Sequence, residues 1–346
     1  MWFVLACASA ISFGLRGILY QWSSKQSLNR NLMLLGVYIS GTIITVTGSL
    51  LLGETWSPAV WVGALMGLFS FISNAAMYKG YSVGKASLIA MFTGLPPVVV
   101  ALLAFTVWGE RLSSGQLLAF VVIMTGLMMV RYSGDLSLRN LQGAQWGVLT
   151  MLFFGLTDFF TKQATLLHAA TFPTLTMMYA TGGLLFGATW LLDLRKTKAA
   201  QSSLLLARQE SAAASEAGPS ASIADHAEAT PGEAVMAAAL KESAAGTEGE
   251  AKASASSEIT PPRKPWTIKR TLLWGMTVGI TNACGMMFAM PAFKLGVTGL
   301  VSAVMAANVV LVMLYARFVL RESFKRLEAV GMAIGFAGIV LLKLLS

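Results

Sequence analysis

The sequence predicts an all-α integral membrane protein: ten transmembrane helices in two inverted five-helix repeats, with a disordered loop between spans seven and eight. Three observations carry that prediction. Only 12% of the 346 residues are charged, against about 25% in ordinary soluble domains, and the mean hydropathy is +0.67. Ten apolar runs each approach the ~20 residues that cross a ~30 Å hydrocarbon core as a helix. The two halves of the chain also repeat one another.

The runs fall at residues 2–20, 32–52, 59–78, 86–108, 115–130, 143–160, 171–192, 271–293, 299–320 and 327–345. The first opens Met1-Trp2-Phe3 with no basic segment ahead of it, so it reads as a retained span and not as a secretory signal. Span three carries a polar stripe, Ser70, Ser73, Asn74 and Met77, at i, i+3, i+4 and i+7. Span four is interrupted by Pro96 and Pro97, which remove amide donors and free the carbonyls of Phe92 and Thr93 at mid-span. Span eight presents Thr281, Asn282 and Gly285, and span ten a stripe of Gly331, Gly335 and Gly338 suited to close helix packing.

Between spans seven and eight, residues 193–270 change character to Ala, Ser, Glu and Gly, with too little bulky apolar surface to offset ordering entropy. A disordered linker is expected there, with a transient helix at Glu233–Glu242. Its ten basic and ten acidic residues cancel, so the net charge of +9 belongs to the membrane part and sits in short loops beside the bilayer. That placement removes nucleic acid as a partner; the expected partners are the lipid bilayer and a small-molecule substrate.

Residues 61–131 lie over 273–343 without a gap at a shift of 212, with Gly63 on Gly275, Gly67 on Gly279, Gly84 on Gly296, Leu88 on Leu300, Glu110 on Glu322 and Gly126 on Gly338. A weaker match at a shift of 141 sets Phe13-Gly14-Leu15 over Phe154-Gly155-Leu156. The unit is five spans used twice, residues 1–131 and 143–346. Because five is odd, the second copy enters the membrane from the opposite face, the inverted symmetry of secondary transporters.

The chain resembles the drug/metabolite transporter superfamily, in particular its EamA-domain members. The residues that carry the resemblance are Gly84-Lys-Ala-Ser-Leu-Ile followed by Pro96-Pro97, Trp108-Gly-Glu110-Arg-Leu and Gly126-Leu-Met-Met-Val. The second copy answers with Gly296-Val-Thr-Gly-Leu-Val, Arg321-Glu322-Ser-Phe and Gly338-Ile-Val-Leu-Leu. The resemblance implies a transporter, not an enzyme, with two five-helix copies and cytoplasmic termini.

Two ionisable residues lie inside spans, Arg16 and Asp158, where a charge is costly and normally faces a cavity or a partner. Span direction places their backbones roughly 13 Å apart along the membrane normal, at about 1.5 Å per residue. They suit the two ends of a small zwitterion; a structural ion pair or interfacial snorkelling are the competing readings. Ser70 falls on Asn282 under the repeat, so both copies turn polarity toward one place. The substrate-binding candidates are therefore Arg16, Ser70, Asn74, Thr93, Asp158, Asn282 and, where the second copy lacks the first proline, Asn308. Asp158 is also the candidate proton carrier, and Pro96 and Pro97 mark a kinked gate element.

Cys7 and Cys284 are 277 residues apart and His168 and His226 have no companions, so neither a metal nor a cofactor is expected. No phosphate-binding lysine loop, His-Glu-x-x-His or nucleophile elbow is present, which leaves a gradient or exchange to drive transport. An amino acid or related zwitterion is the favoured cargo. A phosphorylated or nucleotide-linked sugar, drawn by Lys79, Lys85 and Lys294, is an alternative, as is a non-transporting scaffold recruiting a partner through the long loop. The expected location is the cell membrane, in a bacterium the inner one. The loops after odd-numbered spans hold most of the Lys and Arg, which places them and the long loop in the cytoplasm and both termini outside. The charge count and the resemblance thus point to opposite orientations.

Overall fold

Twelve α-helices are found among the described residues: α1 (Trp2–Ser24), α2 (Arg30–Leu52), α3 (Val62–Val83), α4 (Ala86–Phe92), α5 (Pro96–Trp108), α6 (Ser114–Arg131), α7 (Ala144–Leu166), α8 (Thr171–Glu216), α9 (Ile268–Leu295), α10 (Thr298–Ala306), α11 (Asn308–Phe318) and α12 (Arg326–Leu345). The structure is a computed structural model and describes residues 1–24, 26, 28–83, 86–131, 143–216, 266–319, 321 and 326–345. Gly84, Lys85, His226, Glu322, the segment 233–242 and the rest of the loop over 217–265 lie outside the described residues.

Nine segments among them are long and apolar enough to cross a membrane. The tenth, α7, is 23 residues long but spends its second half on Thr157, Asp158, Thr161, Lys162 and Gln163. Large apolar side chains such as Leu50, Leu102, Leu184 and Phe336 stand exposed on the outer faces of the helices, as lipid-facing residues must. Trp22, Trp266 and Trp274 cluster at one end of the bundle, ring centroids 4.7–6.3 Å apart, at the depth where aromatic belts sit.

Packing follows the repeat. Helix α3 lies against α7 as α9 lies against α1, and α5 against α7 as α11 lies against α1. The two copies meet in the pair α6 and α12, where glycine is required: a Cβ on Gly126 would stand 2.6 Å from the Cα of Gly335.

Two expectations are corrected. The fourth span is broken, not kinked: α4 stops at Phe92 and α5 starts at Pro96. The Phe92 carbonyl, expected to be free, accepts the N–H of Leu95 at 3.1 Å, and the N–H of Val98 returns to Leu95 at 2.9 Å. The ninth span breaks at the equivalent place without any proline. Ala307, which falls on Leu95 at the shift of 212, has ψ −3° against −2°, and the N–H of Val310 returns to its carbonyl at 2.9 Å. The second correction concerns the loop. Helix α8 continues through Asp193 to Glu216, because a span already supplies the costly helical nucleus and the Ala-, Leu-, Gln- and Arg-rich segment after it propagates well. Residues 193–264 form a unit separate from residues 1–192 and 265–346; its described part is this helical stretch.

Candidate functional site

A cavity of about 910 Å³, counted to its open mouth, lies between the two copies. Its walls come from α1 (Phe13, Arg16, Tyr20), α2 (Val37, Tyr38), α3 (Ser70, Asn74), the α4–α5 break (Thr93, Pro96, Pro97), α7 (Phe154, Thr157, Asp158), α8 (Met178), α9 (Asn282, Met286) and α10 (Ser302, Met305, Ala306).

In the packing behind its wall the repeat is expressed atom by atom. Tyr38 and Tyr179 are mates at the shift of 141, as are Gly41 and Gly182. The Tyr179 ring lies against Gly41 and the Tyr38 ring against Gly182, each in space that a Cβ would fill. The two rings meet edge-on, centroids 5.8 Å apart. Tyr38 Oη then shares a 2.6 Å hydrogen bond with Ser70 Oγ, while Asn282 Nδ2 donates to Tyr179 Oη at 3.2 Å. Since Ser70 is the mate of Asn282, the same tyrosine-to-polar contact is made once in each copy. This packing is missing from the candidates above. Extending the weak 141-residue match past residue 15 reaches it.

Arg16 donates from Nη1 to Asn282 Oδ1 at 2.5 Å, and its guanidinium carbon lies 4.6 Å from the Phe13 ring centroid and 5.8 Å from that of Tyr20. Its Nε is buried without a hydrogen-bond partner. Asp158 accepts a short hydrogen bond from Ser302 Oγ. The two charges therefore share a cavity but hold different partners, one on α9 and one on α10. Thr157, the mate of Arg16 at the shift of 141, lines the cavity beside Asp158 and returns its hydroxyl to the Phe153 carbonyl at 2.9 Å.

The break in span four has a cation built over it. Arg131, at the end of α6, donates from Nη1 to the Ala90 carbonyl at 2.7 Å and to Thr93 Oγ1 at 2.5 Å. A guanidinium on the carbonyl end of α4 complements the helix dipole and satisfies groups that the break exposes. Sequence reading counts Arg131 as a loop charge, since its acceptors lie 38 and 41 residues away and one is a backbone carbonyl.

Of the nine residues named as binding or gate candidates, the structure brings eight into this cavity: Arg16, Ser70, Asn74, Thr93, Pro96, Pro97, Asp158 and Asn282. Asn308 is the exception. As the first residue of α11 it faces a separate apolar groove with Ala10, Ile11, Leu311 and Phe336, whereas Pro96 at the same register lines the central wall. Ser73 spends its hydroxyl on the Ser70 carbonyl at 2.9 Å, and Met77 lines a second cavity. Lys79 and Lys294 are exposed, away from the central cavity. Among the described residues no three His, Cys, Asp or Glu side chains gather as a metal site.

The model of the EamA-like transporter family matches residues 1–132 and 254–344. These regions hold spans one to five and eight to ten. A solved structure described as "Crystal structure of protein" aligns over 99% of this chain and 98% of its own, with a TM-score of 0.66 at 12% identity, a likeness of fold. No curated protein matches the sequence.

Proposed function

The chain belongs to the EamA-like transporter family, and from that premise we propose that it is a secondary active transporter of a small polar metabolite, an amino acid or related zwitterion. The observation that carries this reading is the pairing of Arg16 and Asp158 on separate partners in one cavity. Arg16 Nε is a buried donor without an acceptor, a state that costs about 1–3 kcal/mol and that a substrate carboxylate would relieve. Asp158 receives the ammonium end. Met178, Met286, Met305 and Phe154 supply the apolar wall for the remainder, and thioethers adapt to side chains of differing shape.

Residues 1–131 and 143–346, the latter interrupted by 193–270, act as the two moving halves. Inverted copies give two states of similar energy around one fixed site, which is alternating access. Transport is proton-coupled or an exchange, with Asp158 as the proton carrier. The protein works in the cell membrane, in a bacterium the inner one, without a cofactor and without catalysing a reaction. The sugar-phosphate reading is disfavoured because Lys79 and Lys294 stand outside the cavity.

Thermal stabilisation of the purified protein by a panel of amino acids, phosphorylated sugars and nucleotide-linked sugars tests the substrate class, followed by flux of any stabilising solute in proteoliposomes. Zwitterions are expected to raise Tm and to move. Stabilisation by phosphorylated solutes alone would overturn the reading. The scaffold alternative requires no flux of any solute, and loss of a partner on deleting residues 200–260.

A further inference from the structure

At the face where the even-numbered spans end, two opposite charges hold one turn. Glu110, between α5 and α6, accepts the N–H of Thr298 on both carboxylate oxygens, each at 3.1 Å. Thr298 is the first residue of α10, so the carboxylate sits on the positive end of that helix. Lys162, near the end of α7, donates from Nζ to the carbonyls of Phe293 at 2.8 Å and Gly296 at 3.1 Å, the negative end of α9. One turn, residues 295–298, is thus held at both ends. Beneath it Trp108 stacks on Phe159, centroids 4.4 Å apart and planes within 6°, and its Nε1 donates to Gln163 at 3.2 Å.

The repeat supplies the comparison. Lys162 falls on Gln21 at the shift of 141 and Phe293 on Tyr81 at the shift of 212. At the opposite face those two residues line a vestibule of about 1140 Å³ between α1, α2 and α3. Tyr20 lines both the vestibule and the central cavity. At one face Lys162 and Phe293 join in holding the turn; at the other Gln21 and Tyr81 line the vestibule.

We propose that Glu110 and Lys162 are the latch of the even-loop entrance: positioning residues that hold the α9–α10 turn in the closed state and release it when that entrance opens. The proposal rests on the transporter reading. Neither residue lines the substrate cavity, so the latch acts through the turn and not on the cargo.

The test uses the full chain in proteoliposomes of known orientation, with Cys7→Ser, Cys284→Ser and a single reporter, Ala306→Cys, on the cavity wall. An impermeant maleimide is applied to one face at a time. The reporter is expected to label from the odd-loop face, and Glu110→Gln or Lys162→Met to raise its labelling rate from the even-loop face about tenfold or more, the scale of a lost hydrogen bond to a charge. A purely structural role would lower Tm without that change in sidedness, and unchanged even-face labelling in both variants overturns the latch. Should either variant fold poorly, Glu110→Cys with Thr298→Cys joined by a short, reducible thiol crosslinker gives the converse: flux stops and reductant restores it, whereas undiminished flux in the crosslinked protein overturns the proposal. Labelling needs no substrate, so the two readings fail separately. A shift in sidedness without flux of any solute refutes transport and leaves the latch standing; flux without a shift refutes the latch alone.

Discussion

Neutralising Arg16 and Asp158 singly and together separates two substrate contacts from one ion pair. In the structure Arg16 donates to Asn282 and Asp158 accepts from Ser302, so neither charge depends on the other for a partner. If each holds one end of a zwitterion, Arg16→Gln and Asp158→Asn each forfeit a charge-assisted hydrogen bond of about 1.5–3 kcal/mol. That is roughly 10- to 100-fold in kcat/KM, since about 1.4 kcal/mol is tenfold. Without a shared partner the two losses add to within about 0.5 kcal/mol, so the double variant falls to background. A lone buried pair behaves otherwise: each single removal costs about 3–5 kcal/mol by stranding a charge, and removing both restores most of it. The assay is initial uptake and efflux in proteoliposomes, normalised to folded protein by Tm and by amount in the membrane. Near-normal transport by the double variant, with both singles inactive, would refute the two-contact assignment.

Three further expectations come from the packing. Gly182→Val drives a side chain into the Tyr38 ring and should cost about 1–3 kcal/mol by overpacking, seen as a lower Tm; Gly187→Ala, whose Cβ meets nothing closer than 3.6 Å, should be nearly neutral, and equal effects would contradict the ring seating. Arg131→Met removes the cap on α4 and should lower both Tm and flux by more than Arg131→Lys, which keeps the charge beside the Ala90 carbonyl; indistinguishable variants would show that the cap does not hold the break. For orientation, Ser113→Cys on the even-loop face should label with an impermeant maleimide in intact cells, and Lys79→Cys on the odd-loop face only after permeabilisation. The reverse pattern would side with the cytoplasmic termini that the family resemblance implies.

Hydropathy was sufficient for nine of the spans among the described residues, because a bilayer rejects uncompensated polar surface so strongly that length and composition settle where helices cross; α7, polar in its second half, falls short of that measure. The repeat was legible for a related reason: both copies bury the same faces, so Gly126 and Gly338, or Ser70 and Asn282, recur in register. The intramembrane charges were legible too, since Arg16 and Asp158 are conspicuous in hydrocarbon-like sequence.

What required the tertiary structure was every interaction whose partner is backbone or lies across the bundle. The ninth span breaks at Ala307 without a proline, so no residue type announces it. Asn308 stands outside the cavity, although its register position matches that of Pro96, which lines it. Arg131 caps Ala90 and Lys162 holds Phe293 and Gly296 through carbonyl oxygens, acceptors that every residue carries and no sequence pattern marks. Apolar burial is a property of segments and can be read along the chain; a hydrogen bond to the end of a distant helix depends on direction and distance, and only the packed helices fix those.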